Sequence, residues 1–329
     1  EPPLSGLRVI DLAGESGLFV GRELGELGAD VIRVEPPEGD TSRLRKPYLE
    51  GEAGIERSLY HLHFNANKRG STLDIHSPEG RKRLLSLVES SDILVETAAP
   101  GEMDELGIGY DELKTLNPGL LYVTITPFGQ KGPLRNYRGN DLIGVATSGL
   151  MYINGFPEDP PNQPGAEQAY HMAALVAVSG TLTALVARDR DPTHKGFRID
   201  VSIQEAASMA TLQTANANIF TWHGEIPKRI GLTTLTGGRS LYQCFDGKWV
   251  SFTVPLGTPP LWGAFVRWLG EEGLDEPFSG DDWNDAGYRY ERASVITAAI
   301  TALTSRYDRA HIFHEGQRRR MLVMPVNDA

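Results

Sequence analysis

The apolar positions fall into short unbroken runs, separated by stretches with helical spacing. Residues 7–12 and 29–35 read as strands. Between them Leu18, Phe19, Leu24 and Leu27 share one helical face, which Gly28 closes as a C-cap. Two strands around one helix within about 30 residues form a βαβ unit with parallel strands. The pattern repeats. Ser77, Pro78 and Glu79 supply an N-cap, a first-turn proline and a first-turn acid, and Leu84, Leu85, Leu87 and Val88 turn inward. Strand 92–96, helix 110–116 and strand 120–126 follow. Regular alternation of this kind predicts an α/β fold, a doubly wound parallel sheet.

Residues 165–188 are rich in Ala, Leu and Val and predict a buried helix. A strand over 197–203 and a long helix from 204 towards 222 come next. The character changes near Gly224. Runs at 241–245 and 248–254 flank Asp246-Gly247, a strong hairpin signal, and helical stretches follow at 262–269 and 293–305. The organisation expected is a large domain followed by a second, smaller α+β domain from about Gly224. The first residue is Glu1, and residues 320–329 read as a strand entering a turn, so further residues are expected beyond both ends.

Length supports two domains: 329 residues exceed the usual span of one core, roughly 250–300. Composition narrows the class. The 43 acidic residues outnumber 32 basic ones, for a net charge of -11, which argues against nucleic acid and anionic membrane as partners. No apolar stretch is expected to reach membrane-spanning length and no signal peptide opens the chain, so a cytoplasmic protein is expected. The single cysteine, Cys244, excludes a disulfide framework and cysteine-based metal sites.

Few residues point to chemistry by themselves. Gly14, Gly17 and Gly21 follow the first strand, and Glu35 stands where a ribose-binding acid would. The spacing lacks the first close pair of the dinucleotide fingerprint, so no nicotinamide is expected and a turn needing small residues accounts for the glycines. A nicotinamide dehydrogenase stays as an alternative. His61 and His63 alternate as on a strand, and His311 and His314 share a helix face. Neither pair has the accompanying ligands of a metal site, so no metal is expected. Asn67-Lys68-Arg69-Gly70, before a strand at 71–75, offers a Lys-Arg pair that can meet phosphates.

An ordered set of stretches resembles the class III CoA-transferases, the CaiB/BaiF group that includes formyl-CoA, carnitine, bile-acid and benzylsuccinate CoA-transferases. The stretches are 3–12; 27–35 on to Gly39-Asp40; Asn67-Lys68-Arg69 with Leu73-Asp74; Pro78-Glu79-Gly80; 92–96; Pro100-Gly101 and Leu106-Gly107; Leu116-Asn117-Pro118 with 128–133; Asp141 to Gly149; 195–206; and Asp246-Gly247. Together they span nearly the whole chain.

The resemblance implies a Rossmann-like large domain over 1–200, a linker helix over 201–223, a small α+β domain over 224–329 and two subunits interlocked as a homodimer, or as a heterodimer with a homologous catalytic subunit. It implies coenzyme A as substrate, together with an acyl-CoA and a small carboxylic acid. An aspartate attacks the acyl-CoA to form a mixed anhydride. CoA thiolate then converts this to an enzyme thioester, which the acceptor acid resolves. Asn67, Lys68, Arg69, Leu73 and His76 match CoA-binding positions, and Gly237 and Gly238 match the Gly-rich loop that steadies oxyanions.

The chain departs from the pattern at the nucleophile. Counting back from Gly180, the position of the aspartate falls on Tyr170, with Ala169 and His171 on either side. Glu167 is the nearest acid and the candidate nucleophile in its place. The alternative is a chain without a nucleophile, the non-catalytic subunit of a heteromeric transferase. The basic contacts of the family are thinned too, with Pro36-Pro37 after Glu35, Glu105 in place of an arginine, and Thr97-Ala98 after Glu96. The related 2-methylacyl-CoA racemases need a histidine where this chain has Asn140, which cannot exchange a proton near neutral pH. Residues 154–157 and Tyr170 are expected to line the acyl pocket.

Overall fold

The computed structural model describes residues 1–211, 220–221, 224, 226, 228–232 and 239–327. The chain divides into two compact units. One comprises Glu1–Ile153 and Asn162–Pro227, the other Asn154–Pro161 and Lys228–Ala329.

The first unit is built on six parallel strands: β1 (Arg8–Asp11), β2 (Asp30–Glu35), β3 (Lys68–Thr72), β4 (Ile93–Glu96), β5 (Leu121–Thr126) and β6 (Arg198–Ser202). Their order across the sheet is β3-β2-β1-β4-β5-β6, doubly wound, with the switch point between β1 and β4. β4 and β5 are buried along their whole length, and this is why they read as unbroken apolar runs. The helices are α1 (Leu18–Glu26), α2 (Leu59–Phe64), α3 (Pro78–Val88), α4 (Glu102–Glu105), α5 (Tyr110–Leu116), α6 (Asp141–Thr147), α7 (Leu150–Ile153), α8 (Gln168–Arg190) and α9 (Ile203–Thr211). Ser77 caps α3 as its sequence implies, its side chain accepting from the Gly80 N–H.

Three expectations need correction. The third strand is Lys68–Thr72, not 71–75. As an edge strand it takes its register from β2, with Val31 opposite Lys68, so its polar residues are held by ladder bonds while the apolar Leu73 and Ile75 come after it. His61 and His63 lie on helix α2, not a strand. Ser58 caps that helix, and His61 is buried against Ser42, whose Oγ lies 2.8 Å from its Nδ1. Helix α8 has 23 residues and is long and apolar enough, by length and composition, to cross a membrane, which the sequence reading had not anticipated. Here one side of it, including Ala173, Ala174, Ala177 and Thr181, is buried in the core against α1, α6, α9, β5 and β6.

The second unit holds an antiparallel sheet of β7 (Leu241–Gln243), β8 (Trp249–Thr253) and β9 (Leu322–Pro325), in that order. Asp246 and Gly247 form the β7–β8 turn, with Gly247 at φ +76°. The inward face, Tyr242, Val250, Phe252 and Val323, joins one core with Trp262, Phe265, Trp268 and Trp283. Burial pushes the thiol of Cys244 in this core up to about 11.

Candidate active site

The glycines after β1 are set by close packing. A Cβ on Gly17 would stand 2.7 Å from the Ala13 Cβ, and one on Gly21 would stand 2.4 Å from Asp11 Oδ2. Gly14 donates its N–H to Thr97 Oγ1 at 2.7 Å, joining the loops that follow β1 and β4 at the switch point. Small residues here let α1 sit directly on the end of β1.

Beneath α1 lies a buried charge network. Asp11 is fully buried. Its Oδ1 accepts from Arg33 Nη1 at 3.1 Å and from the Ala13 N–H at 2.9 Å, and its Oδ2 pairs with Lys68 Nζ at 2.8 Å. Burial opposes the charge on Asp11, but Lys68 and Arg33 outweigh it and hold the carboxyl below its ordinary range. Arg33 also grips Asp40 at 2.8 Å. Arg43 holds Glu35 through two bonds, of 2.7 and 2.8 Å, and the Glu35 carboxyl is lowered to about 2, those bonds overcoming its burial.

The residues matched to CoA binding take different places. The Lys68 ammonium is 1% exposed and is committed to Asp11, to the Leu18 carbonyl at 2.7 Å and to Asn65 Oδ1 at 3.0 Å. The ammonium therefore faces the protein, with two hydrogen bonds and one ion pair. Asn67 is exposed at φ +62°. Arg69, 66% exposed, forms a bidentate pair with Asp30. His76 is exposed at the start of the turn into α3. Leu73 lines a surface cleft of about 380 Å³ with Ser71, Thr72, Lys82 and Arg83. The two basic residues went unremarked in the sequence, because on an isolated helix they read as a solvated face. Gly237 and Gly238 lie outside the described residues.

A larger cleft, of about 600 Å³, opens at the start of α8. Glu167 caps that helix at φ +44° and ψ +51°, directly after Ala166 at φ +62°. Two consecutive side-chain-bearing residues in the left-handed region are strained and must be held by their surroundings. The Glu167 carboxylate accepts from Arg45 Nη1 at 2.5 Å and from the Tyr60 hydroxyl at 2.8 Å. Its carbonyl lies 2.9 Å from His171 Nδ1. The same Arg45 nitrogen pairs with Glu15 at 3.1 Å, and its guanidinium covers the Tyr60 ring at 4.1 Å. Burial works against the Arg45 charge, but Glu167 and Glu15 more than offset it. Burial and the adjacent Glu167 both push the Tyr60 hydroxyl up, so it stays a donor. Burial also raises Glu15, and the nearby Glu167 adds to the effect. Phe64 and His171 complete the wall, with ring centroids 5.6 Å apart.

Comparison with known proteins gives the cleft its context. The sequence model described as CoA-transferase family III matches residues 4–329. The chain belongs to CoA-transferase family III. It is 36% identical to the succinyl-CoA:(R)-benzylsuccinate CoA-transferase subunit BbsE of Thauera aromatica, over 98% of this chain and 78% of that one. It is 31% identical to the beta subunit of the succinyl-CoA–L-malate CoA-transferase of Chloroflexus aurantiacus, over 99% and 78%. A solved CaiB/BaiF family protein from Brucella suis superposes with a TM-score of 0.81 at 30% identity, covering 99% of this chain and 84% of that one.

Tyr170 lies in the first turn of α8. Its N–H donates to Asp141 Oδ1 at 3.1 Å, and burial pushes its hydroxyl up to about 12. Its ring borders a narrow extension of the cleft together with Glu15 and Phe19. The adjacent Asn140 caps α6 by accepting from the Ile143 N–H at 3.1 Å, a structural duty that involves no proton exchange. Residues 154–157 fall in the second unit.

Proposed function

We propose that this chain is the non-catalytic subunit of a heteromeric class III CoA-transferase, paired with a homologous subunit that carries the nucleophilic aspartate. The assembly moves CoA from an acyl-CoA donor to a small carboxylic acid. In the partner, the carboxylate oxygen attacks the thioester carbonyl, the carbon–sulfur bond breaks and CoA thiolate leaves, giving an acyl anhydride. The thiolate returns to the aspartyl carbonyl and releases the donor acid. The acceptor carboxylate then attacks the enzyme thioester, and a second thiolate transfer regenerates the aspartate with the new acyl-CoA.

The observation that carries this reading is Tyr170 at the first turn of α8, a phenol where a carboxylate nucleophile is expected. The nearby carboxylates do not replace the missing one. Glu167 is tied to Arg45 and Tyr60, and a carboxylate whose charge is so stabilised is a poorer nucleophile. Among the relatives, BbsE and the malate enzyme's beta chain are both named as subunits. Succinyl-CoA, the donor in both names, is the first donor to test. On this reading Asn67, Arg69, Leu73 and His76 face CoA from the surface, while Lys68 supports them from inside.

The test is intact mass spectrometry with peptide mapping after incubation with a panel of acyl-CoAs. It is made on the chain alone and on the chain co-purified with an aspartate-bearing homologue. Adducts on the partner's aspartate and none on this chain are expected. An acyl or CoA adduct on Glu167 overturns the proposal and makes this chain a catalyst with a substituted nucleophile.

A further inference from the structure

We infer that Arg45 and Tyr60 form a binding site for the carboxylate of an aromatic or similarly bulky apolar acid, and that Glu167 occupies this site as an internal substitute which the acid displaces. The inference rests on the reading that Glu167 is not the nucleophile, and it names the class of acid this subunit takes.

The grip on Glu167 is that of a bound carboxylate ligand. A guanidinium meets one oxygen at 2.5 Å and a phenol meets the other at 2.8 Å. The gripped residue is held in an unfavourable backbone conformation. Its φ of +44°, following +62° at Ala166, costs strain that release of the side chain would relieve. The exchange is also neutral in charge: Arg45 faces Glu15 and one further carboxylate both before and after it, and the freed Glu167 returns to water. The walls set the rest of the ligand. Beside the cation the cleft is lined by Pro164, His171 and the edges of Tyr60 and Phe64, two tilted rings 4.5 Å apart, so an apolar group meets an aromatic wall there. The cleft, at about 600 Å³, is of the size that holds a small ligand.

The experiment is isothermal titration calorimetry of the whole chain, and of the chain with its partner subunit, with three probes. They are 3-phenylpropanoate, butanoate and 2-phenylethylamine. Glu167→Gly removes the internal carboxylate at a backbone conformation glycine adopts freely, so the fold survives. Glu167→Gln removes only the charge. Both variants are expected to bind 3-phenylpropanoate roughly tenfold tighter than the natural chain, because the competitor is gone. Arg45→Met, at a residue 35% exposed, is expected to lose roughly tenfold or more. Butanoate is expected to bind more weakly throughout. Unchanged affinity in both Glu167 variants, or preference for the ammonium probe, overturns the inference. Its failure is distinct from failure of the function proposed above, which is read from the adduct on Glu167.

Discussion

Replacing Lys68 by methionine tests whether this residue serves the fold or the ligand. The side chain keeps its length and loses its charge. Two acceptors then lose their donor, the Leu18 carbonyl and Asn65 Oδ1, and Asp11 Oδ2 loses its ion-pair partner. Asp11 keeps Arg33 at 3.1 Å and the Ala13 N–H on its other oxygen, so the network is weakened, not abolished. Removing one partner of a buried pair leaves an undercompensated charge and costs about 3–5 kcal/mol. Against a typical total of about 5–15 kcal/mol, this is a large share. In urea, with a slope of about 3 kcal/mol per molar, the midpoint falls by about 1–1.7 M. The comparison is Arg69→Ala. That exposed pair with Asp30 is worth at most about 1 kcal/mol, so its midpoint barely moves. Adding Asp11→Asn to Lys68→Met removes the stranded charge, and the double variant is expected to lose less than the sum of the two single variants. An unchanged midpoint for Lys68→Met, with CoA affinity reduced, refutes the reasoning and returns Lys68 to the ligand.

Two further predictions use buried groups elsewhere in the first unit. Glu96 is buried at the end of β4, and burial, opposed by the Ala98 N–H, raises its carboxyl from an ordinary 4.5 to about 7. The folded state therefore favours the protonated form. Its contribution is intact below pH 4.5 and is lost as pH rises through 7, a change of about 3 kcal/mol. Glu96→Gln is expected to flatten this dependence, so urea midpoints at pH 5 and pH 8 converge in the variant, and an unaltered pH profile refutes the assignment. Gly21→Ala would stabilise an ordinary exposed helix by up to about 1 kcal/mol. Here the new Cβ meets Asp11 Oδ2 at 2.4 Å, so thermal unfolding is expected at a lower temperature.

Much of the fold was legible along the chain. Strands buried on both faces are mostly apolar, so β1, β2, β4 and β5 stand out as runs broken only by a few paired or protonated charges, and the βαβ spacing alone makes them parallel. Caps and turns act locally, and Ser77-Pro78 and Asp246-Gly247 therefore marked their elements correctly. Family membership was legible because an ordered series of such local motifs spans the chain.

Other features depended on what tertiary packing covers. That the lysine at the edge strand is buried beneath α1 and paired with Asp11 is visible only in the folded chain. The register of β3 came from β2 and not from its own apolar residues. Helix α8 has the composition of a membrane span, and only the neighbours packed along it make it a core helix. The cleft shows the same division. Glu167 was found by counting from the helix, yet Arg45 and Tyr60 lie 122 and 107 residues before it, and no periodicity links them. Local spacing determines elements because hydrogen bonds within a turn or ladder reach only a few residues. A site is decided by which distant elements pack together, and so the partners that restrain Glu167 could be read only from the folded chain.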